Sequence, residues 1–475
     1  MYSALRWVES HGGTAVMAIG RYEILEMYRR VGLQSMGIEV TSGAVKFEVM
    51  HASTAAIQAS GVRIARMIAR FKEKVIWHLP FPFYRSAEFF HGGAFFGAIG
   101  TSFDALHRSK EIINADVLDA WFPPSPRVIA KLQEHLPWLL RTSPPTSCDG
   151  LVRAIADARG VAPRHILPGA GSSDLIFRAF REWLSPASRV LILDPTYGEY
   201  AHFLEKVIGC TVDRLMLDEA RGFEVDTCEL ERALGRGYDL VVLVNPNSPT
   251  GRILSRDRLE GLLSGVSART RVWVDETYME YVGPEQSLEK FAARSEHIVI
   301  CKSMSKCYAL SGARVGYLCA GAHQLEALRA VTPPWVVSLP AQVAAVEALR
   351  DPKYYAARYA QTRQLRSFLD AELRSIGIET FPGVANFLLC RLPADGPDAA
   401  TLVARCRERD VFIRDAAQMG SRLGARFVRI AVKDADTNVQ ILHAVSYGLG
   451  VQWRGDDVAA DQIATSNSAL NLLST

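Results

Sequence analysis

The chain is short of features that would tie it to metals, nucleic acids or disulfide scaffolds. Its eight cysteines among 475 residues occur singly, and the absence of any Cys-x-x-Cys pair excludes the usual zinc and thioredoxin-type motifs. We therefore expect no metal site, and reduced thiols in a cytoplasmic protein. The formal net charge of +3 is small for this length and gives no electrostatic reason to expect nucleic acid as a partner.

Long hydrophobic runs are also absent. A membrane-spanning helix needs about 20 apolar residues. The most apolar early stretch, residues 91–100, is short and interrupted by glycine. Residues 1–20 lack the basic start and continuous apolar core of a signal peptide. We therefore expect no membrane partner and a cytoplasmic location.

The middle of the chain instead alternates short apolar runs with helical patterns. Nearly continuous aliphatic runs are typical of strands that are buried on both faces of a parallel sheet. The runs are residues 190–193, 240–244, 272–274 and 298–301. This alternation predicts an α/β fold with a mostly parallel sheet. In such sheets, ligands bind at the carboxyl ends of the strands.

The same patterns predict four segments. Residues 1–110 form an N-terminal extension to which the sequence assigns no role, and residues 111–338 form the large sheet domain, beginning with a substrate-binding segment. Residues 339–452 are predicted to form a smaller α+β domain, and residues 453–475 a disordered tail. The basic, amphipathic stretch 62–74 is interpreted as a solvated helix face.

One motif places a single amine beside groups that can bind phosphate. Ser303-Met-Ser-Lys306 follows an apolar run, and Ser-Gly-Ala-Arg314 comes shortly after it. A lysine amine can form a Schiff base with a cofactor aldehyde. A serine hydroxyl and the planar guanidinium of arginine suit a phosphate group. Lys302 is the competing amine.

A second motif is also expected to bind phosphate. It is Gly-Ala-Gly-Ser172-Ser173-Asp174, which begins a helical pattern. Backbone N–H groups at a helix N-terminus bind phosphate well. A dinucleotide-binding loop is the rival interpretation, but the third glycine of Gly-x-Gly-x-x-Gly is Asp174 here. We expect Ser172 and Ser173 to contribute to a phosphate site.

Polar and aromatic residues follow three of the other predicted strands. They are Tyr197, the pair Asn247 and Ser248, and the pair Asp275 and Tyr278. Together with the lysine motif, this set resembles the fold-type I pyridoxal phosphate (PLP) enzymes. Within them it resembles the class I/II aminotransferases and their histidinol-phosphate aminotransferase-like branch.

The resemblance covers roughly residues 112–448 and implies a large domain with a seven-stranded-type sheet, a small C-terminal domain, a homodimer and PLP as the cofactor. It favours Lys306 over Lys302, because Ser303 and Arg314 stand at the offsets that the family uses. A carboxylate that keeps the pyridine nitrogen protonated is implied at Asp275, with Glu276 as the residue that could be confused with it.

The resemblance also implies roles for the remaining candidates. Tyr278 would bind the phenolic oxygen of PLP, and Tyr197 would stack on its ring. Ser248 stands where the family usually has asparagine, so either the Ser248 hydroxyl or the neighbouring Asn247 is expected to contact the cofactor. The small domain would supply the substrate-binding residues, which are Arg429 for the α-carboxylate, Arg414 for a second polar group, and Asn386.

Two segments depart from the family pattern. Arg141-Thr-Ser143-Pro stands where relatives carry Arg-Tyr-Pro, whose tyrosine reaches the cofactor phosphate of the partner subunit. Residues 119–124 replace an asparagine-rich substrate-entry segment. Both lie where substrate specificity is set, so a substrate other than histidinol phosphate is expected.

The predicted function is ping-pong transamination between an amino acid or amino-alcohol phosphate and a 2-oxo acid, through a Schiff base on Lys306. A PLP-dependent decarboxylase or cyclase on the same fold is the first alternative. A transcription regulator that carries an aminotransferase-like domain is the second. It is less favoured, because residues 1–110 show no helix-turn-helix pattern.

Overall fold

The computed structural model describes residues 7–8, 13–43, 45–61, 92–100, 102–453 and 455. The basic stretch 62–74 and almost all of the predicted tail lie outside the described residues. The chain divides into two compact units, Met1–Phe90 and His91–Thr475. No helix within the described ranges is both long enough and apolar enough to cross a bilayer.

The first unit contains a three-stranded antiparallel sheet in the order β1-β3-β2. Its elements are β1 (Ala15–Arg21), α1 (Leu25–Arg30), β2 (Gln34–Ser42), β3 (Val45–Ser53) and α2 (Thr54–Gly61). Alternate residues of β3, such as Met50 and Ala52, are buried against Leu25, Leu33 and Ile57. The alternation is the pattern expected of a sheet with one covered face.

The second unit is built around a seven-stranded sheet in the order β5-β11-β10-β9-β8-β6-β7. Its strands are β5 (Ile166–Gly169), β6 (Arg189–Asp194), β7 (Thr211–Met216), β8 (Leu240–Val244), β9 (Arg271–Asp275), β10 (Ile298–Ser303) and β11 (Gly316–Ala320). Only β11 runs against its neighbours, and every other pair is parallel. The predicted α/β class and mostly parallel sheet are confirmed.

Both faces of this sheet are buried, which explains the continuous apolar runs. In β8, Val241 and Leu243 face one core, whereas Leu240 and Val242 face the other. Helices cover the two faces. In chain order, the helices of the unit are α3 (Phe95–Ile99), α4 (Pro126–Arg141), α5 (Asp149–Arg159), α6 (Ser172–Trp183), α7 (Gly198–His202), α8 (Thr227–Leu234), α9 (Arg256–Ser264), α10 (Glu289–Ala292), α11 (Met304–Cys307), α12 (Ala322–Ala330), α13 (Leu339–Leu349), α14 (Pro352–Ser375), α15 (Ala399–Arg407) and α16 (Ala435–Leu449).

A second sheet of five strands, in the order β12-β13-β15-β14-β4, belongs to the same unit. Its strands are β4 (Ile113–Ala115), β12 (Glu379–Thr380), β13 (Phe387–Arg391), β14 (Val411–Asp415) and β15 (Phe427–Ala431). Strand β4 pairs in parallel with β14, although about 300 residues separate them. This pairing carries the chain that follows β4 past the arginines of the small sheet.

Residues 92–100 and 102–110 also pack within the second unit. The Arg108 guanidinium pairs with Asp410 at 3.4 Å, and the Gly93 N–H donates to Asp116 at 3.1 Å. This part of the predicted N-terminal extension therefore lies against the small sheet.

Candidate active site

Strand register gathers the predicted motifs at one edge of the large sheet. Ser303 of β10 pairs with Gly316 of β11, and Gly316 pairs with Gly169 of β5. In the parallel part of the sheet, Asp275 is level with Cys301 and with Val244. The polar segments that follow β5, β8, β9 and β10 therefore leave the sheet at the same side, as open α/β sheets predict.

Lys306 lies on the short helix α11, directly after β10. Ser303 caps this turn by accepting a hydrogen bond from the Ser305 N–H at 3.3 Å. The Lys306 ammonium donates to Asp119 Oδ1 at 2.8 Å, and 19% of its side chain is exposed. The amine is therefore held in place but accessible.

The competing amine, Lys302, is enclosed. Its side chain is 2% exposed, and its ammonium lies 3.1 Å from Glu276 and 3.0 Å from Glu280. Burial alone would lower the pKa of Lys302, but Glu280, Glu276 and Glu289 outweigh burial and raise it. A permanently charged, enclosed ammonium cannot act as a nucleophile, so Lys306 is the available amine of the two. The same contacts turn Glu276 away from the site.

Asp275 ends β9 and is 3% exposed. Its Oδ2 accepts a hydrogen bond from Tyr200 Oη at 2.7 Å, and its Oδ1 accepts from the Thr277 hydroxyl at 2.6 Å. Burial raises the pKa of Asp275, and these hydrogen bonds oppose the rise. No cationic side chain of the described residues forms an ion pair with it. A protonated pyridine nitrogen would supply the missing positive charge.

The expected phosphate site is built by a close approach of two loops. Gly171 has a φ of 88°, and a Cβ placed on it would lie 2.4 Å from Arg314 Nη2. The positive φ favours glycine, and a larger residue would displace the Arg314 guanidinium. Ser172 and Ser173 begin helix α6, so their N–H groups open onto the space beside Arg314. The donor set fits a phosphate group.

Tyr197 and Ser173 share a partner that the motifs did not indicate. Both hydroxyls donate to Glu199 Oε2, at 2.6 Å from Tyr197 and 3.1 Å from Ser173. The Tyr197 ring lies edge-on to Tyr200, with ring centroids 5.9 Å apart. Because Tyr200 bonds Asp275, the tyrosine expected to stack on the ring is close to the carboxylate expected to bind its nitrogen.

The structure separates the two candidates Asn247 and Ser248. The Asn247 amide donates to the Pro195 carbonyl at 2.9 Å and to Thr250 at 3.1 Å, and it accepts from Thr196 at 3.0 Å. It therefore ties two loops together. Ser248 Oγ instead accepts a hydrogen bond from Arg429 Nη1 at 3.1 Å, on the side of the predicted substrate residues.

The arginines of the small sheet meet the segment that follows β4. Arg429 and Arg414 are paired in register on β15 and β14, and both are buried. Arg429 Nη2 donates to the Asp116 carbonyl at 3.0 Å, and Arg414 Nη1 lies 3.5 Å from the Asp116 carboxylate. Burial, followed by repulsion from Arg414, lowers the pKa of Arg429 to about 10, although Tyr278 opposes the shift.

Two buried polar atoms at this place have no hydrogen-bond partner within the described residues. They are Arg429 Nε and Asn386 Oδ1. Asn386 is fully buried, and its amide nitrogen donates to the Leu118 carbonyl at 3.0 Å. Unsatisfied buried groups are costly, so their presence here indicates a site completed by a ligand.

Tyr278 lies near both Arg429 and Asp275. It is 7% exposed and its ring packs edge-on against Phe387, with centroids 5.3 Å apart. Burial raises the pKa of Tyr278, and Arg429 partly opposes the rise. The phenol is therefore a hydrogen-bond donor at neutral pH.

The motifs missed the side chains that come from distant segments. Asp119 binds the lysine amine, and Lys433 donates to the Asp119 carbonyl at 3.3 Å. The departure of residues 119–124 from the family pattern was the one signal for Asp119. Lys433 follows an apolar strand, and its sequence context gave no sign of its position.

Comparison with known proteins agrees with this geometry. The family model "Aminotransferase class I and II" matches residues 116–445. A histidinol-phosphate aminotransferase from Moorella thermoacetica is 31% identical over 339 residues, which cover 71% of this chain and 85% of that protein.

Two solved structures share the fold. The histidinol-phosphate aminotransferase of Sinorhizobium meliloti, in complex with pyridoxal-5'-phosphate, has a TM-score of 0.66 and 21% identity, over 76% of this chain and 98% of that one. The L-threonine-O-3-phosphate decarboxylase of Porphyromonas gingivalis has a TM-score of 0.62 and 25% identity, over 71% and 100%.

The predicted fold, cofactor and reaction class are confirmed, and neither the decarboxylase or cyclase alternative nor the regulator is favoured. The chain belongs to the class I and II aminotransferase family and is a fold-type I, PLP-dependent transaminase similar to the histidinol-phosphate aminotransferases.

Proposed function

We propose that Lys306 is the cofactor-binding lysine and that the enzyme transfers the amino group of an acidic amino compound, either an amino acid or an amino-alcohol phosphate, to a 2-oxo acid. The observation that carries the substrate class is the buried arginine pair. Arg414 pairs with the Asp116 carboxylate, whereas Arg429 donates to the backbone carbonyl of Asp116 and has an Nε without a hydrogen-bond partner among the described residues. A carboxylate or phosphate on the substrate would complete this pair, because arginine binds both in a two-pronged geometry.

The cofactor would be held at three points. Asp275 would bind the ring nitrogen, Tyr278 and Ser248 the phenolic oxygen, and Tyr197 the face of the ring. Bound PLP supplies an electron-withdrawing ring that stabilises negative charge at the substrate carbon. Ser248 is preferred to Asn247, since all three hydrogen bonds of the Asn247 amide are already made within the protein.

The phosphate of the cofactor would lie at the start of helix α6. Its proposed donors are the Ser172 and Ser173 segment, the Ser303 hydroxyl and the Arg314 guanidinium. Lys306 would bind the cofactor aldehyde at rest and, once the substrate amine has displaced it, would act as the base that moves the substrate Cα proton.

We further propose that the chain works as a homodimer in the cytoplasm. Large apolar side chains are exposed on the second unit, among them Leu140 at 71%, Trp335 at 56% and Trp138 at 49%. Of the exposed apolar residues on α4, Ile129, Leu136 and Leu140 recur at the spacing i, i+7 and i+11, and such a stripe on one helix face supports a partner surface. All eight cysteine thiols are unpaired and seven are buried, which suits a reducing compartment.

Two measurements test the proposal. Borohydride reduction of the holoenzyme should leave a pyridoxyl label on Lys306 and none on Lys302, and the Lys306→Ala variant should take up no label. A spectral titration with a panel of amino acids, amino-alcohol phosphates and uncharged amines should convert the lysine-bound cofactor to its amine form only with acidic members. A label on Lys302, or equal reaction of the uncharged amines, would refute the respective part.

A further inference from the structure

A carboxylate and a second lysine lie against the amine of Lys306. Asp119 Oδ1 accepts hydrogen bonds from Lys306 Nζ at 2.8 Å and from the Ser311 hydroxyl at 2.6 Å. Lys433, 9% exposed, donates to the backbone carbonyl of the same aspartate at 3.3 Å. We call Lys306, Asp119, Ser311 and Lys433 the lysine–aspartate cluster.

The cluster joins three remote parts of the chain. Asp119 comes from the segment after β4, Lys306 and Ser311 come from the chain after β10, and Lys433 follows β15 of the small sheet. The segment after β4 is fixed on both sides of Asp119, by the Asn386 bond to Leu118 and by the Trp121 Nε1 bond to Thr362 at 2.8 Å. The carboxylate is therefore held against the amine from several directions.

The hydrogen bond from Lys306 Nζ to Asp119 needs a free amine. The proposed mechanism frees this amine during turnover, whenever the substrate amine takes the place of the lysine. Resting on the proposed role of Lys306, we infer that Asp119 is a catalytic residue that receives the released amine, and that Lys433 positions Asp119. Asp119 supplies a carboxylate within hydrogen-bond reach of the Lys306 nitrogen, which transfers the proton.

The proton balance of the step is closed. The neutral Lys306 amine would take the substrate Cα proton and hold it as an ammonium. When bound, PLP would accept the electron pair of the broken C–H bond and would offer the carbon to which the ammonium returns the proton. Asp119 gains and loses no proton. Its carboxylate holds the Lys306 ammonium between the two transfers, which fixes the nitrogen near both carbon atoms.

Electrostatics agree with an ionised Asp119. Burial alone would raise the pKa of Asp119, but Lys306, Ser311 and Lys433 outweigh burial and lower it. The other titratable groups that sense this carboxylate are Tyr278 and Tyr281, whose pKa values burial raises, so that both are neutral at physiological pH. Among these described neighbours, the charged groups that face Asp119 are thus the ammonium groups of Lys306 and Lys433.

The first test uses the protein without cofactor and needs no substrate. Lys306 of the apoprotein is labelled with acetic anhydride, and its modification is followed by peptide mass spectrometry in wild type, Asp119→Asn and Asp395→Asn. Asp395 is an exposed aspartate of the same unit and serves as the control. We expect Asp119→Asn to increase the labelling rate of Lys306 about tenfold, because the charge-assisted hydrogen bond to Asp119 holds the amine away from the reagent.

The second test uses the holoenzyme with L-glutamate and its α-deuterated form. Asp119→Asn should slow the half-reaction about a hundredfold and should increase its deuterium isotope effect, since a misplaced base slows the proton transfer itself. Lys433→Met should change both quantities in the same direction by a smaller factor, and Lys433→Arg should restore part of the loss.

The results distinguish the inference from simple structural support and from failure of the proposed function. If Asp119→Asn leaves the labelling rate of Lys306 unchanged, or lowers only the free energy of unfolding, Asp119 does not receive the amine. Should Asp119→Asn fail to fold, Asp119→Ser gives the same labelling test, because it also removes the carboxylate that accepts from Lys306. Absence of a pyridoxyl label on Lys306 in wild type would instead refute the proposed function.

Discussion

Two lysines four residues apart lie in opposite electrostatic surroundings. We define the Lys302 cluster as Lys302, Arg159, Glu276, Glu280 and Glu289, in which two cations meet three carboxylates. Every member is buried, and the carboxylates also accept hydrogen bonds from Ser287, the Leu288 N–H and Tyr317. The cluster is closed to solvent, and each of its cations lies within reach of at least two carboxylates.

The site around Lys306 has the reverse balance. Four cations, which are Lys306, Lys433, Arg414 and Arg429, lie around two aspartates, Asp116 and Asp119. Lys306 and Arg414 pair with the carboxylates, whereas Lys433 and Arg429 donate to the backbone carbonyls. The comparison teaches that burial of charge does not by itself mark a functional site. The two clusters differ in the sign of the excess and in access: the buried Lys302 cluster has one more carboxylate than cations, whereas the positive excess around the partly exposed Lys306 suits a ligand of negative charge.

The largest expected effect separates the two clusters by stability. Lys302→Met leaves three buried carboxylates with Arg159 as their remaining cation, so we expect it to lower the free energy of unfolding by about 3–5 kcal/mol. Urea unfolding of the apoprotein measures this. Lys131→Met is the control, because its pair with Glu134 is exposed and screened by solvent and should contribute almost nothing to stability. A stable Lys302→Met variant would remove the distinction.

The next effect should fall on catalysis and leave stability nearly unchanged. Arg429→Ala removes the donor to Ser248 and the proposed clamp for the acidic group of the substrate. We expect kcat/KM to fall roughly a hundredfold, which corresponds to a loss of about 3 kcal/mol of transition-state stabilisation. Arg391→Ala removes an exposed arginine of the neighbouring strand β13 and should not change kcat/KM. Equal kcat/KM values for the two variants would show that Arg429 does not bind substrate.

The sequence predicted the parts of the fold whose patterns are local. Strands β6, β8, β9 and β10 were found because both faces are buried and the runs are almost wholly apolar. Strand β7 was missed, since it is a half-exposed edge with polar residues along it. Strands β4 and β12, with three and two residues, are too short to show any period.

The same distinction applies to the site. Asp275, Tyr278 and Lys306 follow strands of one sheet, so topology alone brings them together. Asp119 and Lys433 reach Lys306 from segments that are far away in sequence, and tertiary packing alone sets those contacts. Likewise, the enclosure of Lys302 depends on three glutamates whose directions no motif records.

A smaller effect should sharpen the comparison at the phosphate end of the site. Gly171→Ala places a Cβ 2.4 Å from Arg314 Nη2, at a residue with a φ of 88°. The added Cβ would displace the guanidinium from the proposed phosphate site, so we expect the binding free energy of PLP to weaken by about 1–3 kcal/mol. Equilibrium dialysis of PLP measures this, and the Lys302 cluster is untouched. Gly261→Ala is the control, since the added Cβ meets nothing within 4 Å on helix α9. Similar PLP affinities for both variants would contradict the proposed phosphate site.

The last effect has the opposite sign to the first. Burial and the nearby Lys306 lower the pKa of Lys433 from 10.5 to about 8, against the attraction of Asp119. Between these pH values the unfolded chain binds more protons than the folded one, so the stability of the apoprotein should rise with pH in this window. Below pH 8 the full cost of burying the ammonium is present.

Lys433→Met should therefore stabilise the apoprotein at pH 7, by about 3 kcal/mol at most, and its advantage should decline as the pH rises from about 8 to 10.5. Unfolding curves in urea at several pH values measure this difference. Lys302→Met and Lys433→Met remove the same group from two buried places, yet one should weaken the fold and the other strengthen it. Destabilisation by both would mean that Lys433 is an ordinary structural lysine. The contrast between the Lys302 cluster and the lysine–aspartate cluster would then not hold.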